Sequence, residues 1–194
     1  MNINDFNKYW KSNYSKTLPL GYELVAVNLK KWFRIHSLPQ SKRYADTDEE
    51  YKIILDRQNE LITDIFTEGT EIILLFCTFT NDLSNENYNK IRGYSDFKLT
   101  QTLDLYKMYP EEEYPKGFSM NIYIKTEQWK KGNRNEMLQQ IADDEINMLL
   151  ICPSKNRIVA PYDGGVDVIM ENETKRDEFK SKYKKWLSYR EDGL

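Results

Sequence analysis

Between residues 72 and 79 the chain runs Ile-Ile-Leu-Leu-Phe-Cys-Thr-Phe, with strand length, strand composition and almost no polar interruption. A strand that shows no polar face has both faces covered, so this one is expected at the centre of a sheet. The stretch before it has a different period. Ile54, Leu61, Ile62, Ile65 and Phe66 recur at helical spacing behind Thr47-Asp48-Glu49-Glu50, a capping-box pattern, and this predicts a helix over residues 48–67. Phe6, Tyr9, Trp10 and Tyr14 supply the apolar surface of a short helix near residues 5–13. Residues 21–37 read as extended, in one or two strands, because Phe33 and Ile35 alternate with Trp32, Arg34 and His36.

Residues 97–107 and 120–124 are further strand candidates, and Asn133 is placed to cap a helix carrying Met137, Leu138 and Ile141. Residues 146–152, 157–160 and 166–170 then read as three successive strands. Thr174 is placed to cap a last helix, in which Phe179, Tyr183, Trp186 and Leu187 recur at i, i+4, i+7 and i+8 as one buried stripe. Two polar segments, residues 81–89 and 109–117, read as surface loops; the second carries Glu111-Glu112-Glu113 between Pro110 and Pro115. This order of elements predicts a single α+β domain over residues 1–194, a mainly antiparallel sheet with packed helices.

Composition agrees with a packed domain: 40% apolar and 13% aromatic residues in 194 suffice for a sizeable core. The 28 basic and 31 acidic residues leave a net charge of −3, so no overall field draws the molecule to nucleic acid or to an anionic membrane. Residues 1–6 lack the basic region and apolar run of a secretory signal, and no apolar stretch approaches the roughly 20 residues that span a bilayer. A soluble, cytoplasmic chain is expected. Cys77 and Cys152 each sit in an apolar strand-like run and read as buried reduced thiols rather than as a disulfide.

Chemistry concentrates in Arg34-Ile35-His36-Ser37-Leu38-Pro39-Gln40-Ser41-Lys42-Arg43-Tyr44, which contains the only histidine. In an extended segment Arg34 and His36 project from one face about 7 Å apart, close enough to share a ligand. Ser41, Lys42, Arg43 and Tyr44 follow in a loop entering the capped helix, where unpaired amides favour anions. The acidic start of that helix, Asp46 to Glu50, opposes a phosphate there. Arg34, Lys42 and Arg43 therefore either pair with the chain's own carboxylates or face a ligand.

The second constellation is Pro161-Tyr162-Asp163-Gly164-Gly165-Val166-Asp167-Val168. Asp163-Gly164-Gly165 reads as a tight turn in which glycine supplies a positive φ. Asp167 interrupts an apolar strand, and a carboxylate so placed needs a partner; Arg34 and Arg157 are the candidates. A catalytic or metal-ligand role is the competing reading for Asp167. Arg34 and Asp167 are expected to lie within interaction distance, which would join the two segments into one unit. A Ser41–His36–Asp163 or Ser41–His36–Asp167 triad can be written, but no spacing demands it. Gly-x-Gly-x-x-Gly, Walker and Gly-x-Ser-x-Gly patterns are absent, and one histidine with two separated cysteines does not suit zinc. No cofactor and no metal are expected.

The segment from Arg34 to Pro39, followed by Ser41-Lys42-Arg43-Tyr44, and the segment from Pro161 to Ile169 resemble segments of the bacterial family of small proteins called domain of unknown function 3885. The resemblance covers most of the chain in order, including the helix from Thr47 and the strand from Glu71. Relatives often carry an arginine in the turn after the tyrosine, where this chain has Gly164-Gly165, so the turn itself is not expected to be cationic. The resemblance implies a soluble bacterial domain and supplies no activity.

Two functions compete. The favoured one is a small bacterial cytoplasmic binding protein with a protein partner and no chemistry of its own, such as an immunity protein that blocks a toxin or a regulator that holds its target. Its candidate binding residues are Arg34, His36, Ser41, Lys42, Arg43, Tyr44, Tyr162, Asp163 and Asp167. The alternative is an enzyme acting on a small anionic substrate, with Arg34 and Arg43 as clamps, His36 as general acid or base and Asp167 as orienter or base. Geometry discriminates: an enzyme gathers these groups in a pocket, a binding module presents them, or the acidic loop near Glu111, on an open face.

Overall fold

The computed structural model describes residues 3–15, 17–79, 95–112 and 114–190. Among them seven strands form one sheet: β1 (Trp32–His36), β2 (Glu71–Phe79), β3 (Lys98–Asp104), β4 (Ser119–Gln128), β5 (Leu149–Cys152), β6 (Arg157–Tyr162) and β7 (Gly165–Ile169). Their order is β1-β7-β6-β5-β2-β4-β3, and every neighbouring pair is antiparallel. The helices are α1 (Ile3–Tyr14), α2 (Gly21–Val27), α3 (Asp48–Phe66), α4 (Leu105–Met108), α5 (Asn135–Ala142) and α6 (Glu173–Lys182). The chain is an α+β domain, as the order of its elements predicts.

Helices cover both faces of the sheet. On one face Leu61, Ile65 and Phe66 of α3, Met137 and Leu138 of α5, and Tyr183 after α6 pack on Phe33, Ile35, Ile72, Leu74, Val166 and Val168. On the other, Phe6 and Tyr14 of α1, Leu24 of α2 and Leu105 of α4 pack on Ile73, Leu75, Ile122, Ile158 and Ile169. Strand β2 lies inside the sheet between β5 and β4, and its residues from Ile72 to Phe76 are buried whichever face they point to. That double coverage is why its sequence lacks a polar alternation. The N-terminus of α3 is fixed by the expected cap, Thr47 Oγ1 accepting from the Glu50 amide at 3.3 Å. The Glu50 carboxylate accepts from the Asp46 amide at 2.7 Å instead of from Thr47, so the box is displaced by one residue.

Four expectations are corrected. Residues 21–27 form α2, not a strand; the helix has one buried residue, Leu24, so its sequence carries no repeated apolar spacing, and extension begins only at Trp32. The strand expected over residues 97–107 ends at Asp104, whose carboxylate accepts from the Lys107 amide at 3.1 Å and starts α4. Asn133 does not cap α5, which starts after Arg134 without a side-chain cap. Nor does Thr174 cap α6: Asn172 does, accepting from the Lys175 amide at 2.8 Å, and Thr174 lies inside the helix. Residues 81–89 lie outside the described residues, and the described part of 109–117 is irregular beyond α4. Cys77 and Cys152 are free and belong to opposite faces of the sheet. Burial pushes the Cys77 thiol up to about 12, so it stays protonated.

Candidate functional site

The antiparallel register of β1 and β7 sets Arg34 directly across from Asp167. Arg34 Nε donates to Asp167 Oδ1 at 2.8 Å and Nη2 donates to Oδ2 at 2.9 Å, a two-pronged guanidinium–carboxylate fork. Trp32, two residues along the same strand and hence on the same face, donates its indole Nε1–H to Oδ1 at 2.7 Å. Ala160, opposite Asp167 on β6, is small. The Arg34 guanidinium carbon lies 4.8 Å from the centre of the Tyr162 ring and 5.5 Å from that of Trp32. Burial works against charge on Arg34, but the hydrogen bonds and charge of Asp167 keep its pKa above the ordinary value. Burial, ahead of neighbouring charges, pushes the Tyr162 hydroxyl up to about 12.

The other named residues join different partners. Arg43 Nε donates to Asp163 at 2.5 Å, and the Arg43 guanidinium lies over the Tyr44 ring. Lys42 Nζ donates to Glu50 at 2.6 Å and meets Asp46 at 2.8 Å, at the N-terminus of α3. Each cation in the Arg34 to Tyr44 segment is thus paired with a carboxylate of the chain, the outcome that competed with ligand binding. Ser41 is exposed in a turn where Gln40 and Ser41 take left-handed φ values of 57° and 56°. His36 lies opposite Gly165, half-buried, with its Nε2 buried and without a partner among the described residues. Burial first, then the positive charge of Arg34, lowers its pKa below 6.5, against a backbone hydrogen bond at Gly164. Arg157, the second candidate partner of Asp167, is instead engaged by Glu171 through two bonds of 2.8 Å.

The glycines of the β6–β7 turn serve closeness, not handedness, which corrects the sequence reading. Neither Gly164 nor Gly165 takes a positive φ between +20° and +160°. A Cβ on Gly165 would stand 2.1 Å from the Ile35 carbonyl oxygen and 3.0 Å from the Tyr162 hydroxyl, and one on Gly164 would stand 2.9 Å from the Tyr162 ring. Only a residue without a side chain lets β1 approach β7 here while Tyr162 folds back over the strand.

A cleft of about 660 Å³ opens between α2 and the sheet. Leu20, Val25, Ala26, Leu75, Phe79 and Met148 give it a mainly apolar lining, and Arg34, Tyr162 and Asp167 form its polar end. His36, Ser41, Lys42, Arg43, Tyr44 and Asp163 do not line it. The nine candidate residues therefore divide into an Arg34–Asp167–Tyr162 group in the cleft, an Arg43–Tyr44–Asp163 group at the turn, Lys42 at α3, and His36 and Ser41 apart. Sequence reading missed the Trp32 indole as a donor to Asp167. It also missed α2 as a cleft wall, because that segment carries no helical period to find. Among the described residues no group of His, Cys, Asp and Glu could hold a metal ion. No described helix is long and apolar enough to cross a membrane.

Both segments that build these groups fall inside residues 20–191, which match the family model Domain of unknown function (DUF3885). The chain belongs to that family. The DUF3885 match takes in every strand of the sheet and every helix except α1, so the cleft and the Arg34–Asp167 pair lie wholly on the DUF3885 portion, apart from Pro19 at the cleft's edge. No match was found among curated proteins or among solved structures. DUF3885 membership thus gives kinship and extent, and function is argued from the site.

Proposed function

We propose that the chain is a non-catalytic binding protein of the bacterial cytoplasm, one that works by holding a protein partner. The observation that supports this reading is the engagement of Asp167. Among the described residues it is the one carboxylate that lines the cleft, and it receives three hydrogen bonds, two from Arg34 and one from Trp32, so its charge is spent on the chain's own donors rather than held ready as a base. The natural acid–base residue, His36, stands outside the cleft. What the cleft offers is apolar surface closed by a neutralised ion pair, which suits complementarity rather than chemistry. Free thiols on both faces of the sheet accord with a reducing compartment. A toxin-neutralising immunity protein, or a regulator that sequesters its target, works in this manner.

The test pairs a metabolite-pool screen with His36→Gln, which keeps hydrogen-bonding capacity and approximate length. A binding protein consumes no metabolite, and its His36→Gln variant, if folded, retains its effect in a cellular complementation assay. Turnover of a metabolite by the parent, lost by about 100-fold in folded His36→Gln, refutes the proposal.

A further inference from the structure

We propose that the outer edge of β1 takes an extended segment of a protein partner as an added strand, with an acidic side chain of that segment placed on Arg57. The inference rests on the binding-protein reading and assigns the partner a surface and a chemistry.

The phase of the β1–β7 ladder decides which peptide groups are committed. Ser37 N–H donates to the Gly164 carbonyl and Met170 N–H donates to that of Lys31, so Lys31, Phe33, Ile35 and Ser37 form the hydrogen-bonded pairs. Trp32, Arg34 and His36 alternate with them and turn their peptide groups away from β7. Arg57 of α3 marks that outer side, because its Nη1 donates to the His36 carbonyl at 3.0 Å. The Trp32 carbonyl, the N–H and carbonyl of Arg34 and the His36 N–H have no hydrogen-bond partner among the described residues. Peptide groups left unpaired in a fold stand in water, so this is an open row of donors and acceptors. The opposite edge, β3, is spoiled for such pairing by the register shift between Leu99 and Gln101, whereas β1 carries neither a shift nor a proline. Trp32 and Arg34 are already held by Asp167, so a guest meets an edge that needs no further ordering.

Charge at the two ends selects the occupant. Arg57 is fixed beside the His36 end by its bond to that carbonyl, with the Trp186 ring 5.2 Å from its guanidinium carbon and no carboxylate paired to it among the described residues. At the Trp32 end stand Lys30, exposed, and Lys31, half-buried, also without an ion pair among the described residues. The carboxylates of α6, which packs against β1 and residues 29–31, are engaged: Glu173 and Asp177 by Arg176, and Glu178 by Lys175. Glu171 is engaged by Arg157 and Asp64 by Lys182. Glu60, one turn beyond Arg57 on α3, is exposed and forms no ion pair with it. A second copy of the chain is a poor guest, since antiparallel pairing about Arg34 opposes His36 to Trp32 of the copy and carries the copy's Lys30 and Lys31 to Arg57. A segment with Asp or Glu meets that guanidinium with opposite charge while its backbone takes the row from Trp32 to His36.

Amide hydrogen exchange of the full chain, read by NMR, is the first test. In the free protein the Arg34 and His36 amides should exchange at least about tenfold faster than those of Phe33 and Ile35, and equal protection overturns the inference. Selection of a random linear-peptide display library should then yield β-branched or aromatic peptides that carry Asp or Glu. A synthetic copy of the best should slow exchange at Arg34 and His36 by at least about tenfold. It should lose at least about tenfold in affinity, and much of its salt dependence, on Arg57→Met. His36→Pro, which removes an outward N–H, should weaken it likewise, and should that variant fail to fold, N-methylation of alternate peptide residues should abolish binding in one phase and spare it in the other. Lys107→Met, at the far edge of the sheet, should change nothing. A chain ending at Arg190, without Glu191 and Asp192, should bind as the parent does; tighter binding makes the chain's own terminus the occupant and overturns the inference. Winners without acidic residues, no winners, self-association in the ultracentrifuge, or affinity indifferent to Arg57→Met and to N-methylation also overturn it. Binding abolished by Ala26→Arg and indifferent to Arg57→Met moves the partner to the cleft and leaves the binding-protein reading standing. Metabolite turnover with no peptide selected overturns both.

Discussion

Removing one member of the Arg34–Asp167 pair should cost much more than the pair itself is worth, and the structure gives the size of the effect. The two side chains are 18% and 9% exposed, so neither is freely solvated. Arg34→Met strips Asp167 of two charge-assisted hydrogen bonds and leaves it only the Trp32 indole. Breaking a buried pair in this way costs about 3–5 kcal/mol, and the retained indole bond with some solvent access places this case below that range, at about 2–3 kcal/mol. Asp167→Asn keeps the shape and one acceptor, while Arg34 can turn towards water in the cleft, so about 1–2 kcal/mol is expected. In the double variant no charge is stranded, and the single losses should fail to add by about 1–2 kcal/mol. Urea denaturation of the four proteins, followed by far-ultraviolet circular dichroism, measures the cycle. Losses that add to within about 0.5 kcal/mol would show that the fork contributes nothing through mutual contact.

Gly165→Ala tests the close approach of β1 to β7: with a Cβ 2.1 Å from the Ile35 carbonyl oxygen the backbone must shift, and a loss of about 2 kcal/mol or more is expected in the same assay. A neutral result would mean that Gly165 is not needed for strand contact. The pH dependence follows from His36, whose folded pKa is depressed by burial and by Arg34. Above its ordinary value of 6.5 both states are neutral and nothing is lost. As pH falls below that value the unfolded chain takes up the proton first, so stability declines until the folded pKa is passed. Glu171, held low chiefly by its bonds from Arg157, adds its own loss only as pH falls below its ordinary 4.5. His36→Gln should therefore flatten stability between pH 7.5 and 5.5 and leave the more acidic limb unchanged, and an unaltered upper limb counts against a buried neutral imidazole.

The elements that announce themselves in the sequence are those whose periodicity is enforced by deep burial. Strand β2 and helix α3 carry five buried apolar residues each, and their patterns identify them. Helix α2 has one such residue, and its Tyr, Val and Ala positions face a cleft rather than a core, so no period is written into it. The Arg34–Asp167 pair was legible because a charge among valines demands a counter-charge, and the same reasoning allowed Lys42 and Arg43 to be paired internally. That Arg43 would take Asp163 was not legible, since it depends on β1 lying beside β7. The glycines were placed in the right turn for the wrong reason: local conformation suggests handedness, whereas cross-strand distance requires an absent side chain. The cleft is assembled from residues near 20, 34, 76, 148 and 161, and its shape exists only once those segments meet.

The position of β1 has a bearing on how the molecule comes into being. Among the described residues this strand is the sheet's edge and pairs with β7 alone; Arg34 and Asp167 are 133 positions apart. On a ribosome, Phe33 and Ile35 emerge early and wait, unpaired, until nearly the whole domain has followed. Pairing of such distant segments is slow, because the intervening chain must be gathered before any contact rewards the closure. The end of the cleft that carries Arg34 and Asp167 is therefore expected to be completed among the last events of folding.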